Sequence, residues 1–93
     1  SLDDFRKSTE LCANDVDAIN MIGVCLLRKE DYASALYEFN KCLEIDPVNT
    51  DSLYQRAQAN LGLGDILAAI KDLSKAADLG DQMSEIKLEE LSR

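Results

Sequence analysis

The sequence predicts an all-α protein, an α-solenoid of about six helices arranged as stacked antiparallel hairpins. An eight-residue pattern occurs three times at a constant spacing of 34 residues, at positions 4–11, 38–45 and 72–79. Each copy reads acid, large apolar, polar, Lys, small, variable, acid, aliphatic, and such a period is typical of stacked repeats. Apolar residues elsewhere recur at helical spacing, and no segment alternates as a strand does. The alternative is an irregular bundle with accidental periodicity, but three copies in register argue against it.

Composition limits the classes of partner. The chain has 93 residues, enough for one small domain, and a net charge of −8. That sign disfavours nucleic acid or an anionic membrane as the main partner, because phosphate binding depends on Lys and Arg. A basic peptide would suit the charge, but an ordinary solvated acidic surface is the simpler explanation. No apolar run approaches the roughly 18 residues that a membrane span needs.

The cysteines indicate packing rather than chemistry. Cys12, Cys25 and Cys42 form no CxxC pair, and the sequence contains no His. An odd count without short spacing argues against a disulfide framework or a zinc site. Cys25 and Cys42 fall on stripes that we interpret as core, so we expect small buried hydrophobic residues in a reducing compartment, the cytoplasm.

We expect one domain over 1–93, divided at the repeat boundaries. Residues 1–14 are predicted to form the second helix of a partial unit, with Leu2, Phe5 and Leu11 on its apolar side. Two full units follow, over 15–49 and 50–80, and 81–93 is predicted to be a C-terminal capping helix. Because the partial unit lacks its first helix, we expect the chain to be a piece of a longer array.

The first full unit shows the helical pattern most clearly. Ile19, Ile22, Gly23 and Leu26 fall on one stripe of the helix predicted from Val16 to about Lys29. Glycine inside a helix costs roughly 1 kcal/mol relative to Ala, so Gly23 should allow close approach of the next helix. That helix, from Tyr32 to Asp46, has a broad apolar face. Its members are Tyr32, Ala35, Leu36, Phe39, Cys42 and Leu43, and Pro47 then ends the helix.

The second full unit repeats this arrangement. A helix is predicted from Thr50 to about Leu61, a glycine-containing loop follows at 62–65, and a second helix is predicted from Ile66 to Leu79. The segment 81–93 has one charged side and one apolar side. The apolar side consists of Met83, Ile86, Leu88 and Leu91.

The aligned units share a small–large–small signature. In the first unit the signature positions hold Ile19, Ile22, Gly23, Leu26, Ala35, Phe39, Cys42 and Pro47. In the second they hold Leu53, Arg56, Ala57, Asn60, Ala69, Leu73, Ala76 and Asp81. This pattern resembles the tetratricopeptide repeat, a 34-residue helix–turn–helix unit. The resemblance implies a right-handed superhelix and a non-enzymatic scaffold for protein–protein interaction.

Four departures from that family pattern are evident, the first being that the early bulky positions hold Ile19 and Leu53 and not Trp or Tyr. Asn60 stands where the family usually has an aromatic residue, and Asp81 replaces the closing Pro. Arg56 replaces an aliphatic residue, and we expect its stem to lie on the packing while its charged head stays in water.

No catalytic constellation, cofactor motif or metal-binding motif stands out, so we expect no enzyme activity. In the resembling family, the first helix of each unit lines a concave groove that holds a peptide. The corresponding candidates here are Asp17, Asn20, Val24, Leu27, Arg28, Asp51, Tyr54, Gln55, Gln58 and Leu61. Family members that clamp the C-terminal carboxylate of a chaperone tail use Lys and Asn on these helices. The matching positions here lack the Lys, so we do not expect that mode.

A second hypothesis is structural. The helix predicted at 1–14 lacks its partner, the first helix of the same unit. Its apolar side is therefore expected to be an exposed edge. The exposed edge, which includes Phe5, would then stack on another unit or form a homodimer.

Overall fold

The computed structural model describes residues 15–92, and the helix predicted at 1–14 lies outside them. Five helices fill the described range, in which there is no strand. They are α1 (Val16–Arg28), α2 (Tyr32–Ile45), α3 (Thr50–Gly62), α4 (Ile66–Asp78) and α5 (Gln82–Ser92). The predicted all-α class is therefore confirmed, and the helix boundaries lie close to those expected from the sequence.

The helices pack as a chain of neighbours. Each helix contacts the next, so α1 with α2 and α3 with α4 form two antiparallel hairpins, and α5 packs on α4. Helix α1 also contacts α3, two elements further along the chain. The first helices of the units therefore lie side by side, as in a helical solenoid.

Every helix begins at an acidic or amide cap. Asp15, Asp31, Asn49, Asp65 and Asp81 each precede a helix, and each accepts a hydrogen bond from a backbone N–H of the first turn. Such caps satisfy amide groups that have no partner within the helix and contribute about 1 kcal/mol each. The spacing of these five residues therefore sets where each helix starts.

Three helices end in the same tight reversal. After α1 the backbone N–H of Asp31 donates to the carbonyl of Leu26 at 2.9 Å, and equivalent bonds close α3 and α4. The residue at the reversal adopts positive φ in each case: Glu30 (61°), Gly64 (86°) and Gly80 (101°). Glycine is the usual residue in this left-handed conformation, so Glu30 is the exception.

Phe39 and Gly23 are the centre of the first hairpin. The Phe39 ring is fully buried, and a Cβ built on Gly23 would lie 2.5 Å from its Cε1 atom. The predicted close approach at Gly23 is thus confirmed. Ala35 is fully buried in the same cluster. Ala59 of α3 joins it, so this core also links the first unit to the second.

Four residues on the predicted apolar faces of their helices are exposed instead. Ile22, Met83 and Ile86 are 51%, 57% and 53% exposed, and Cys25 is exposed as well. A helical stripe shows which residues share a face, but burial also needs a neighbouring element on that face. Among the described residues, no helix covers these side chains. The prediction was correct for Cys42, which is buried.

Candidate functional site

A groove of about 550 Å³ lies between α1, α3 and α5. We call it the α1–α3–α5 groove. Its lining consists of Val24, Leu27, Arg28, Tyr32, Gln55, Gln58, Leu61, Gly62 and Lys87. Most of these residues come from α1 and α3, the first helices of the two units, while Tyr32 begins α2 and Lys87 belongs to α5. The groove therefore depends on how the units stack and not on any single helix.

The groove combines an apolar strip with polar edges. Val24, Leu27 and Leu61 supply the strip, and the Gln55 and Gln58 amides can both donate and accept hydrogen bonds. Its two charged residues are Arg28 and Lys87, and none of the described lining residues is acidic. The Lys87 Nζ atom lies 3.6 Å from an exposed Glu90 carboxylate, a surface pair that contributes little. The groove therefore differs in sign from the chain as a whole.

Six of the ten residues predicted from the sequence line this groove. They are Val24, Leu27, Arg28, Gln55, Gln58 and Leu61. The structure brings them together because residues three and four apart lie on one face of a helix, and because α1 and α3 present equivalent faces.

The other four predicted residues lie elsewhere. Asp17 and Asp51 are exposed in the first turns of α1 and α3. The Asn20 amide oxygen accepts a hydrogen bond at 3.3 Å from the buried Ser52 hydroxyl. Tyr54 packs against the apolar cluster of the second hairpin, together with side chains of α5. Helix α3 has neighbours on several sides, so a large share of its surface is used for packing.

Three lining residues were missed by the sequence analysis: Tyr32, Gly62 and Lys87. A Cβ on Gly62 would overlap the Tyr32 ring, so this glycine has a packing role at the end of α3. The sequence pattern had indicated only a helix stop there. Lys87 is equivalent to Leu53 at the 34-residue offset, and Leu53 is buried. The repeat alignment therefore gave no reason to expect Lys87 in the groove.

An ion pair lies on the other side of α3. The Arg56 guanidinium donates to both carboxylate oxygens of Asp72, at 2.8 Å and 2.6 Å, and also to the Asn40 amide oxygen at 2.9 Å. Asp72 is only 7% exposed, and Asn60 donates to it at 3.4 Å. The Arg56 head is therefore only partly in water, and its main partner is the Asp72 carboxylate instead of solvent. The physical reason is that a buried carboxylate needs a charged, hydrogen-bonding partner.

The remaining chemistry of the described residues is limited. Within 15–92, no group of three or more His, Cys, Asp or Glu side chains is placed to hold a metal ion. Burial raises the pKa of the Cys42 thiol above its ordinary value, and its Sγ atom lies 3.6 Å from the Val16 carbonyl. A thiol in these surroundings is unreactive. No helix in the described range is long and apolar enough to cross a membrane.

The sequence profile of the tetratricopeptide repeat matches residues 16–49 and 50–79, which together exceed half of the chain. The chain belongs to the tetratricopeptide-repeat family. Protein unc-45 homolog B of Danio rerio is 30% identical to it over 85% of this chain and 9% of that protein. FK506-binding protein 59 of Drosophila melanogaster is 33% identical over 62% of this chain and 13% of that protein. The chain thus spans a small fraction of the length of these relatives.

Membership of the family has one direct consequence. Tetratricopeptide repeats mediate protein–protein interactions, and the first helices of this chain build the groove described above. The identity of a partner, and the face on which it binds, do not follow from the family alone.

Proposed function

We propose that this tetratricopeptide-repeat domain is a non-enzymatic scaffold that binds a peptide segment of a partner protein in the α1–α3–α5 groove. The observation that carries the proposal is the lining itself. An apolar strip runs beside amide side chains, which suits a peptide with apolar side chains and unpaired backbone groups. We further propose that the domain works in the cytoplasm, since its cysteine usage is that of a reducing compartment.

The charge of the groove lining indicates which charge a bound peptide should carry. The expectation of a basic partner rests on the net charge of −8, which belongs to the whole chain. The groove lining instead carries Arg28 and Lys87 and no carboxylate, although Lys87 is paired with Glu90 just outside the lining. Complementarity is decided locally, because charges more than about 10 Å away are screened at physiological salt. A segment with an acidic group would therefore fit the groove better than a basic one.

The proposal is tested by selecting ligands from a phage-displayed library of random twelve-residue peptides. The selected peptides are then titrated against wild type and an Arg28→Ala, Gln58→Ala variant by fluorescence polarisation. Both side chains lie at the groove surface, so the variant should fold normally. We expect binding to weaken about tenfold, because two polar contacts of about 0.5–1 kcal/mol each are lost.

A matched control is the Lys29→Ala, Gln82→Ala variant, which removes one cation and one amide from exposed positions outside the groove. It should bind like wild type. Equal affinity of wild type and the groove variant would contradict the proposal, as would a library that yields no binding peptide. The self-association hypothesis concerns residues 1–14, which lie outside the described range, and it stays a prediction.

A further inference from the structure

A second groove lies on the opposite side of α3, between α2 and α4. Two cavities of about 420 and 270 Å³ open there, and both are lined by Asn40 and Arg56. We call them together the α2–α4 groove. Its walls are Leu36, Leu43, Glu44 and Pro47 on the side of α2, and Ala68, Lys71, Asp72 and Lys75 on the side of α4. Leu53, Arg56 and Asn60 of α3 form its floor.

The charges in this groove are not balanced. Arg56 and Asp72 satisfy one another in the bidentate pair, which leaves Lys71, Lys75 and Glu44. Neither lysine has a carboxylate within 4.0 Å among the described residues, and both are exposed. With Glu44 counted, the lining of this groove has three cations (Arg56, Lys71 and Lys75) and two carboxylates (Asp72 and Glu44), a net charge of +1 in a chain of net charge −8. This local excess of positive charge attracts an acidic group even where the chain as a whole does not.

The spacing of the two lysines limits the shape of a ligand. Lys71 and Lys75 are one helical turn apart on α4, which places them about 6 Å apart along the helix axis. Alternate residues of an extended chain are about 6.6 Å apart and point to the same side. The wall from Ala68 to Lys75 is about 10 Å long, enough for three to four extended residues. A short stretch with two acids separated by one residue therefore matches the wall.

We propose that the α2–α4 groove is a second docking surface, which binds an extended acidic segment of a partner protein with the pattern Glu-x-Glu. The two carboxylates pair with Lys71 and Lys75, and the segment lies over Arg56 and Asn40. Leu36 and Pro47 provide apolar contact at the ends of the groove. This surface is separate from the α1–α3–α5 groove, so one domain would hold two segments at once.

The experiment measures binding of fluorescein-labelled seven-residue peptides that carry Glu-x-Glu or Gln-x-Gln at their centre. The C-termini are amidated and both peptides carry the same label, so the two peptides differ in charge only by the two side-chain carboxylates. Wild type should bind the Glu-x-Glu peptide at low salt at least tenfold more tightly than the Gln-x-Gln peptide. A Lys71→Glu, Lys75→Glu variant should lose about tenfold in affinity, because two attractions become repulsions.

The matched control is a Lys29→Glu, Lys41→Glu variant, which changes the net charge equally at positions outside both grooves. It should bind the Glu-x-Glu peptide within about threefold of wild type. Equal losses in the two variants would overturn the proposal, since binding would then follow net charge alone. It would also be overturned if neither peptide bound, or if only the Arg28→Ala, Gln58→Ala variant lost affinity, which would place the ligand in the other groove. Thermal melts of all variants confirm that they are folded.

Discussion

At the residue scale, Glu30 has a backbone conformation that the chain elsewhere gives to glycine. Its φ of 61° closes the reversal after α1, and the equivalent residues after α3 and α4 are Gly64 and Gly80. The left-handed backbone conformation costs a residue with a Cβ about 1–2 kcal/mol of conformational free energy, whereas glycine adopts this conformation freely. Glu30 is exposed, and no side-chain hydrogen bond or ion pair within the described residues compensates for this loss.

We therefore predict that Glu30→Gly raises the free energy of unfolding. The increase should be about 0.5–1 kcal/mol. Glycine removes the cost of the left-handed conformation, but its greater conformational freedom in the unfolded chain cancels part of that benefit. Urea denaturation monitored by circular dichroism measures it. The reverse change at the equivalent position, Gly64→Glu, should lower the free energy of unfolding by a similar amount. A lower denaturation midpoint for Glu30→Gly would show that its reversal differs from the others.

At the element scale, the contact between α1 and α2 depends on the absence of a side chain at Gly23. The Phe39 ring occupies the space where a Cβ would stand, at 2.5 Å from its Cε1 atom. A separation this short forces the ring or a helix to move, and the ring is fully buried. Steric overlap therefore outweighs the roughly 1 kcal/mol that a helix gains when glycine is replaced by Ala.

We predict that Gly23→Leu lowers the free energy of unfolding by about 1–3 kcal/mol, since it overpacks the first hairpin. Thermal denaturation of the purified variant provides the measurement. A Gly23→Ala, Phe39→Leu double variant should be more stable than Gly23→Ala alone, because the smaller side chain leaves room for the added methyl group. A melting temperature for Gly23→Leu within a degree of wild type would disprove this close approach.

The sequence predicted the elements well but not all of their surroundings. The capping residues, the glycines and the single proline mark helix ends in the sequence, so the five described helices start and end near the expected residues. The close approach of the next helix at Gly23 was predicted correctly, because a glycine inside a helix indicates a packing role, but the sequence did not show that Phe39 is the residue in contact. Cys25, predicted to be core, is exposed, and Tyr54 packs against the second hairpin and is not in the groove lining. The face of the helix on which each residue lies is clear from the sequence, but whether a neighbouring element covers that face is not.

At the scale of the whole molecule, Arg56 connects the two full units. Its guanidinium pairs with Asp72 of α4 and donates to Asn40 of α2, so one side chain of α3 bridges successive second helices. Helices α2 and α4 are not in extensive contact with one another. In a short array, stability depends on such contacts between neighbouring units as much as on each unit alone.

We predict that Arg56→Met lowers the free energy of unfolding by about 2–3 kcal/mol, because Asp72 becomes a largely buried carboxylate without its cation. The side chain of Arg56 is 26% exposed, so the cost should fall below that of a fully buried pair. An Arg56→Met, Asp72→Leu double variant should recover at least half of the loss. The double-mutant cycle is measured by urea denaturation, and strictly additive effects would mean that the pair is not coupled.

The sequence by itself determined the repeat, the helices and the face on which most groove residues lie. These properties are local or periodic: caps, glycines and apolar spacing act within a few residues, and the 34-residue period copies them along the chain. Only the tertiary structure decided that Lys87 joins Arg28 in one groove and that Arg56 pairs with a buried Asp72. Both results depend on how successive units stack, and stacking brings together residues that no short-range pattern relates.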